Sequence, residues 1–541
     1  MRPILDVAAD MGLTAAALEL HGHYKAKVPL EAFPSPGTDV PLVIVTAMTP
    51  SPPGEGKTTT SIGLVDGLAR IGRRPVLTLR EPSMGPFFGI KGGGTGGGMA
   101  RVEPEADINL HFTGDAHAVA SAHNLLAAMT DGAAYHGTVP GLEASRIAWR
   151  RVTNAEERGL RRIVTGLGGQ ANGPMREAGF DIDAASEIMA ILSLANGYDD
   201  LRERLARIVV GSARDRTPIT ASDIGAVGSM MALLKDSLKP NLAQTREGNP
   251  AVIHTGPFGN IAHGNSSILA DRLAAACGDI VVTEAGFGAD LGFEKFVHIK
   301  TRMGGHPPSV AVVVVTVRAL KYHGGSASKT DAPPDGVALQ QGLPNMDHVI
   351  GLVKGAGVKA VVAINRFPDD TREEVEVVRN RALAAGAHAV VESHGFTKGG
   401  EGTIEMAEAV VDAAKEPVQL TYAYDLEDSP EKKVEKLARS FYGASEVQWE
   451  PEALSQTRRF VEQGAGRMPI CMAKTHRSIS ADPTLLGRPL GHTFPIVEMR
   501  MSAGAGFLVP LAGAIQTLPG LPRKPNALGI DLDGAGNVVV P

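Results

Sequence analysis

Cysteine is nearly absent: Cys277 and Cys471 stand far apart in a chain of 541 residues. They form neither a metal-ligand spacing nor a disulfide framework, which makes a reducing compartment the natural setting. Aromatic residues are only 4% of the chain. Basic blocks are missing too: 53 Lys and Arg against 59 Asp and Glu leave a net charge of −6. That balance excludes a broad surface for nucleic acid or anionic membrane, so any anion must be met by a few placed cations and backbone N–H groups. The longest purely aliphatic run, Val310–Val315, is far too short to cross a bilayer. The opening MRPILDVAADMGL carries Asp6 and Asp10 inside its apolar stretch and resembles no secretory signal. A cytoplasmic protein without nucleic-acid or membrane partners is expected.

Glycine (64 residues) and proline (36) are plentiful, and much of the glycine is clustered. Short runs rich in β-branched residues alternate with helical patterns. PLVIVTAM (41–48), RPVLTLR (74–80), DIVVTEAG (279–286), SVAVVVVTVRAL (309–320) and KAVVAIN (359–365) read as buried parallel strands. Thr58–Ile71, Ser266–Cys277 and Asp370–Ala385 read as helices between them. Such alternation predicts an α/β fold with right-handed crossovers. The expected organisation is a P-loop NTPase-like, mostly parallel sheet domain over residues 1–348. Two smaller α/β or α+β domains over 349–443 and 444–541 follow it, with KTDAPPDG (329–336) as a surface loop.

The sharpest local signal is VIVTAMTPSPPGEGKTTTSIGL (43–64), a strand running through a Pro/Gly loop into a helix. This is the setting of a phosphate-binding loop. Gly54 and Gly56 permit backbone angles closed to other residues, so successive N–H groups can turn toward phosphate. The helix N-terminus adds its positive end. Thr49, Pro50, Ser51, Pro52, Pro53, Gly54, Glu55, Gly56, Lys57 and Thr58 form the predicted ATP cradle. Lys57 reaches for the terminal phosphates and Thr58 serves as a magnesium ligand. Ser51 stands where the usual pattern has its first glycine, and Pro52 and Pro53 remove two N–H donors.

The strand at 74–80 ends in REPSMGPFFGIKGGGTGGGMARV (80–102). Arg80 and Glu81 thereby sit at a strand's C-terminal end, where open α/β sheets bind ligands. The glycine run at Gly92, Gly93, Gly94, Gly96, Gly97 and Gly98 suits either close backbone approach or a flexible tether. DINLHFTGDAHAVASAHNLLAAM (107–129) reads as a buried strand leading into a helix, with Asp107, His111, Asp115 and His117 at its mouth.

Together with HTGPFGNIAHGNSS (254–267), TEAGFGADLGFEKF (283–296), TVRALKYHGG (316–325), KGGEGT (398–403), AKTHRSIS (473–480), SAGAGF (502–507) and PGLPRKPNA (519–527), these motifs resemble the formate–tetrahydrofolate ligase family, in order and over nearly the whole chain. The resemblance implies ATP-dependent joining of formate to tetrahydrofolate through formyl phosphate. It also implies magnesium, stimulation by potassium or ammonium, and a homotetramer. Lys57, Arg80 and Asp115 are then the catalytic residues, Arg80 holding formate and formyl phosphate. His254 and His263 are further polar groups, of which at least one is structural. Phe367 matches one of the family's two pterin-stacking aromatics; Phe396 takes the place of the other, usually Trp. In AKTHRSIS, His476 and Arg477 stand where the family more often has Gln and an aromatic, which bears on adenine contacts; SAGAGF is a candidate adenine contact, or else a tight turn between strands. Two P-loop alternatives share GKT: a carboxylate-activating ligase of the dethiobiotin-synthetase kind, and a regulatory NTPase.

Overall fold

The β-branched runs assemble into one mixed sheet. The computed structural model describes residues 1–35, 40–89, 93–326 and 335–540. The strands that position the site are β1 (Leu42–Ala47), β2 (Pro75–Leu79), β3 (Asn241–Thr245), β4 (Pro250–Ile253), β5 (Ile280–Glu284), β6 (Pro308–Val315), β7 (Lys359–Asn365) and β8 (Ala389–Ser393). Their spatial order is β3-β4-β2-β5-β1-β6-β7-β8. Every pairing from β4 to β8 is parallel, and β3 joins β4 antiparallel. All six C-terminal ends of β2, β5, β1, β6, β7 and β8 therefore open on one edge, the edge that binds ligands in such sheets.

Helices cover both faces, which is why the strands are continuously apolar. They include α1 (Lys57–Arg70), α2 (Asp115–His136), α3 (Ile268–Cys277), α4 (Val317–His323), α5 (Gly336–Gly355) and α6 (Arg372–Ala384). One face of the sheet packs Leu42, Ile44, Val313 and Val362 against α3 and α5; the other packs Val43, Val45, Val312 and Val361 against α1. Each such side chain contributes about 1.5–3 kcal/mol on burial. Helix starts follow their caps: Ser267, Thr316 and Thr371 each accept a backbone N–H with their hydroxyl.

Two expectations change. The run 309–320 is not one strand, because Thr316 caps α4 and turns residues 317–320 into helix. DINLHF does not begin a strand: Glu105–Asn109 is a short helix, and Phe112 turns the chain at φ 41° before α2. β7 and β8, which lie within 349–443, extend the large sheet. Gly92 and the loop residues 329–334 lie outside the described residues. Toward the C-terminus, β9 (Glu498–Ser502) and β10 (Phe507–Leu511) pair as an antiparallel hairpin. No helix among the described residues is long and apolar enough to cross a membrane.

Candidate active site

The loop between β1 and α1 is braced from two neighbouring strand ends and from helices α4 and α5. Gly54 and Gly56 adopt φ 82° and 75°, as a phosphate nest requires. Glu55 is buried and turned inward. One of its oxygens accepts the Ser51 N–H (2.8 Å) and hydroxyl (2.6 Å), and the other accepts the Thr316 hydroxyl at the end of β6. Asn365, at the end of β7, donates to the Glu55 carbonyl at 2.8 Å. Arg318 donates to the Gly54 carbonyl at 3.2 Å. Thr49 is pinned by Asn345 of α5 (2.9 Å) and by the His323 ring at its carbonyl (2.8 Å). Of the predicted cradle, then, the Ser51 amide and the Glu55 carboxylate are engaged with the protein itself. Pro52 and Pro53 are exposed at the tip.

Lys57 is the first residue of α1 and Thr58 the second. Burial holds the Lys57 ammonium below its ordinary range, against the opposing pull of Glu284 and Glu55. The Thr58 hydroxyl donates to Glu284, the last residue of β5. The same carboxylate faces Arg80 across 3.4 Å. Strand order explains this meeting: β5 lies between β1 and β2, so its end separates Lys57 from Arg80. Arg80 Nε is buried without a hydrogen-bond partner, a donor suited to a small carboxylate. Gly286 is pressed against the guanidinium, where an added methyl would lie 3.3 Å from both terminal nitrogens. Gly256 does the same for the backbone of Glu81, where a methyl would lie 2.2 Å from its carbonyl oxygen. Two of the glycine-bearing motifs thus exist to admit the β2 end.

Thr58, Arg80, Glu81 and Glu284 line a pocket of about 180 Å³ whose walls are Pro82, Phe87, Ile182, Phe258 and Pro519. Glu81 is buried, and its carboxyl is held well above the usual range, first by burial and then by the charge of Asp115. Asp115 is not in the wall. Burial alone would raise it, but the Lys27 ammonium, His254 and hydrogen bonds from Lys27 and Asn241 outweigh burial and hold it low. Lys27 binds its two oxygens at 2.8 and 3.0 Å, and Asn241 donates at 2.8 Å. Among described residues, then, Asp115 meets the pocket only through Glu81. His254 has both ring nitrogens engaged, with Ser267 (2.7 Å) and the Ser237 carbonyl (2.8 Å), and burial lowers it to about 4. His263 pairs with Ser193 at 2.8 Å and is likewise held neutral by burial. Asp107 is tied to Lys25 at 2.7 Å, and His111 pairs with His117 at 2.7 Å.

Phe367 and Phe396 follow β7 and β8, paired neighbours whose ends align at Asn365 and Ser393. Arg318 covers the Phe367 ring at 3.8 Å. Phe396 is 62% exposed and lies over Gly97 and Gly98, while its carbonyl accepts the Met99 N–H at 2.8 Å. The glycine run, where described, is therefore a packed platform. In AKTHRSIS, Lys474 is buried in an ion pair with Asp290 (2.6 Å), and the His476 ring stacks on Phe287, 4.7 Å between centroids. SAGAGF is the turn between β9 and β10. Its Gly504 and Ala505 N–H groups donate to Glu187, whose carboxyl burial raises to about 7. Asn526 of the PGLPRKPNA stretch donates to the Gly89 carbonyl (2.9 Å) and the Phe87 carbonyl (3.2 Å), strapping the pocket wall.

A larger cleft of about 600 Å³, lined by Arg146, Arg150, Arg459 and Arg500, lies behind the 181–187 segment. No phosphate-loop residue lines it, so size does not mark the reaction site.

Glu284, Glu81, Lys27, Asn365 and Arg318 carried no sequence signal of a role beyond Glu81's place after Arg80. Glu284 and Asn365 end β5 and β7, Arg318 stands in α4, and Lys27 lies far upstream in the chain.

A family model described as formate–tetrahydrofolate ligase matches residues 1–540. The chain is 52% identical over 552 aligned residues to the formate–tetrahydrofolate ligase of Roseiflexus sp. (strain RS-1), covering 100% of this chain and 97% of that protein. It is 50% identical to the formate–tetrahydrofolate ligase of Myxococcus xanthus, covering 99% and 98%. Neither alternative P-loop reading is favoured by these likenesses. With its phosphate loop, its guanidinium-lined pocket and its full-length similarity, the chain belongs to the formate–tetrahydrofolate ligase family.

Proposed function

We propose that the β1–α1 loop, Arg80 and Glu81 divide the ATP-dependent ligation of formate to tetrahydrofolate into two steps through formyl phosphate. The observation that carries this reading is Arg80: a guanidinium with an unpaired buried Nε, beside the carboxylate that Thr58 also touches.

In the first step a formate oxygen attacks the γ-phosphorus and ADP departs. Both reactants are anions, so Lys57 and Arg80 screen their approach, and the loop N–H groups and the α1 N-terminus hold the phosphates. The hydroxyl of Thr58, with Glu284 beside it, is a hard oxygen set suited to magnesium together with phosphate oxygens. Magnesium bound there would supply neutralisation of the charge on those oxygens.

In the second step the folate 10-nitrogen attacks the formyl carbon, the carbon–oxygen bond to phosphate breaks, and the amine loses a proton. The aryl amine is already neutral, so positioning dominates. The departing phosphate gains the electron pair of the broken bond and takes that proton. Glu81 is suited to this pocket because it stays protonated: a second carboxylate beside formyl phosphate would repel it. Asp115 keeps Glu81 in that state while Lys27 cancels its own charge. It is a positioning residue. Phe367 and Phe396 offer stacking faces for the pterin at the same sheet edge.

Stimulation by potassium or ammonium, a homotetramer and a cytoplasmic location accompany this reading through the family. The deciding assay measures the folate product after acidification, with formate, ATP and tetrahydrofolate each omitted in turn. Product in the absence of ATP or formate overturns the scheme.

A further inference from the structure

Helix α1 starts at the proposed phosphate loop and is closely packed along its side. Gly63 and Gly67 are four residues apart and share a face. Against that face lies the segment 395–403, which carries Phe396 at its start and KGGEGT at its end. The approach is at backbone level. A methyl on Gly67 would lie 2.6 Å from Thr403 Oγ1 and 2.9 Å from its carbonyl oxygen. One on Gly63 would lie 3.1 Å from Thr403 Cγ2 and 3.4 Å from the Gly395 Cα. Gly400 is pressed on the Asp66 backbone, where a methyl would stand 2.7 Å from the carbonyl carbon. The buried Thr403 hydroxyl locks the seam, donating to the Gly63 carbonyl at 2.6 Å.

Phe396 has no core of its own to fix it. Its neighbours are the seam and the Gly97–Gly98 platform, and that platform touches α1 in turn: a methyl on Gly96 would meet Ile62 at 2.6 Å. Side-chain contacts absorb small shifts by changing rotamer, but contacts between backbones cannot. Any displacement of α1 on phosphate binding would therefore be passed to residues 395–396 through these contacts.

We propose that this glycine–threonine seam couples the nucleotide site to the folate slot, so that bound nucleotide tightens folate binding. The proposal rests on the slot assignment of Phe396 made above. Thr403 is a positioning residue in it. Coupling between two ligands is reciprocal, and is typically about fivefold or more in affinity.

The test uses the full chain and omits formate, so that nothing turns over. Tetrahydrofolate affinity is measured with and without β,γ-imido-ATP. We expect a tightening of about fivefold or more in the wild type. In Thr403→Val, which replaces the hydroxyl donor by a methyl, the ratio falls toward one in protein that a melting curve shows to be folded. Thr403→Ser restores it. A wild-type ratio of one, or an unchanged ratio in folded Thr403→Val, overturns the coupling. Phe396→Ala reads the slot separately. If folate affinity is unaffected there, the slot assignment and the coupling both fall; if it weakens while Thr403→Val keeps the ratio, the coupling alone falls.

Discussion

The proposed phosphate and folate halves of the site share one sheet edge but are built by different means. Around Lys57 and Arg80, five strand ends contribute side chains that are buried, charged or hydrogen-bonded to one another, and Glu284 touches both Thr58 and Arg80. Around Phe396 there is one exposed ring over glycines, positioned through backbone contacts. Phosphoryl transfer depends on charges fixed before the reaction begins, and fixing them requires partners. A flat apolar ligand asks for a face and a gap, which glycine provides by removing side chains. Substitutions should therefore act steeply in the first half and shallowly in the second.

Lys57→Ala tests the steep half most severely. Turnover should fall by about a thousandfold with the melting temperature retained, since one preorganised donor to a developing charge is worth that much. Near wild-type turnover would remove the phosphate loop from the chemistry.

Asp66 lies where the halves meet, accepting from Thr245 (2.6 Å) and Asn249 (2.7 Å) on α1's inner side. Burial raises its carboxyl to about 7. The fold therefore favours the protonated form. Its contribution is present below the ordinary value of about 4 and is lost as pH climbs to 7, where the unfolded chain has already released its proton. Asp66→Asn keeps the acceptor and removes the titration. Relative to wild type it should gain stability progressively between pH 4 and 7, by up to roughly 4 kcal/mol. Denaturant unfolding at stepped pH reads the difference, and parallel curves would count against a protonated Asp66.

Arg80→Ser should lower kcat/KM for formate by about a hundredfold, the worth of a bidentate charge-assisted contact, with less than about threefold change in ATP affinity. Equal losses for both substrates would mean that Arg80 is no carboxylate clamp. Phe396→Trp is the mildest test: folate affinity should hold or improve within about threefold, because a ring that is 62% exposed has room to grow. A large loss would place the residue in the packing of the platform and dissolve the contrast between the halves.

Much of the steep half was legible beforehand because its signals are local. A strand, two glycines with positive φ and a helix start with Lys57 are contiguous, and Arg80 is marked by the end of the next strand run. Less of its support was legible. The misread stretches were also local conflicts: β-branched residues continue past Val315, yet the Thr316 hydroxyl caps a helix. The partners of Asp115 were not legible: Lys27 and Asn241, which bind its carboxylate, are remote in the chain.

Composition, periodicity and motif order determined an α/β sheet, a strand–loop–helix turn at Gly54–Lys57 on its ligand-binding edge and the likeness to the family, since each of these depends on neighbours in the chain. Which residues meet depends instead on the spatial order of the strands. Thr58 and Glu284 touch because β5 slots between β1 and β2, and Gly67 meets Thr403 because α1 packs beneath the loop after β8. Alternating patterns of period 2 and 3.6 record which face is buried but carry no address for the partner, so these convergences arise only once the sheet has closed around them.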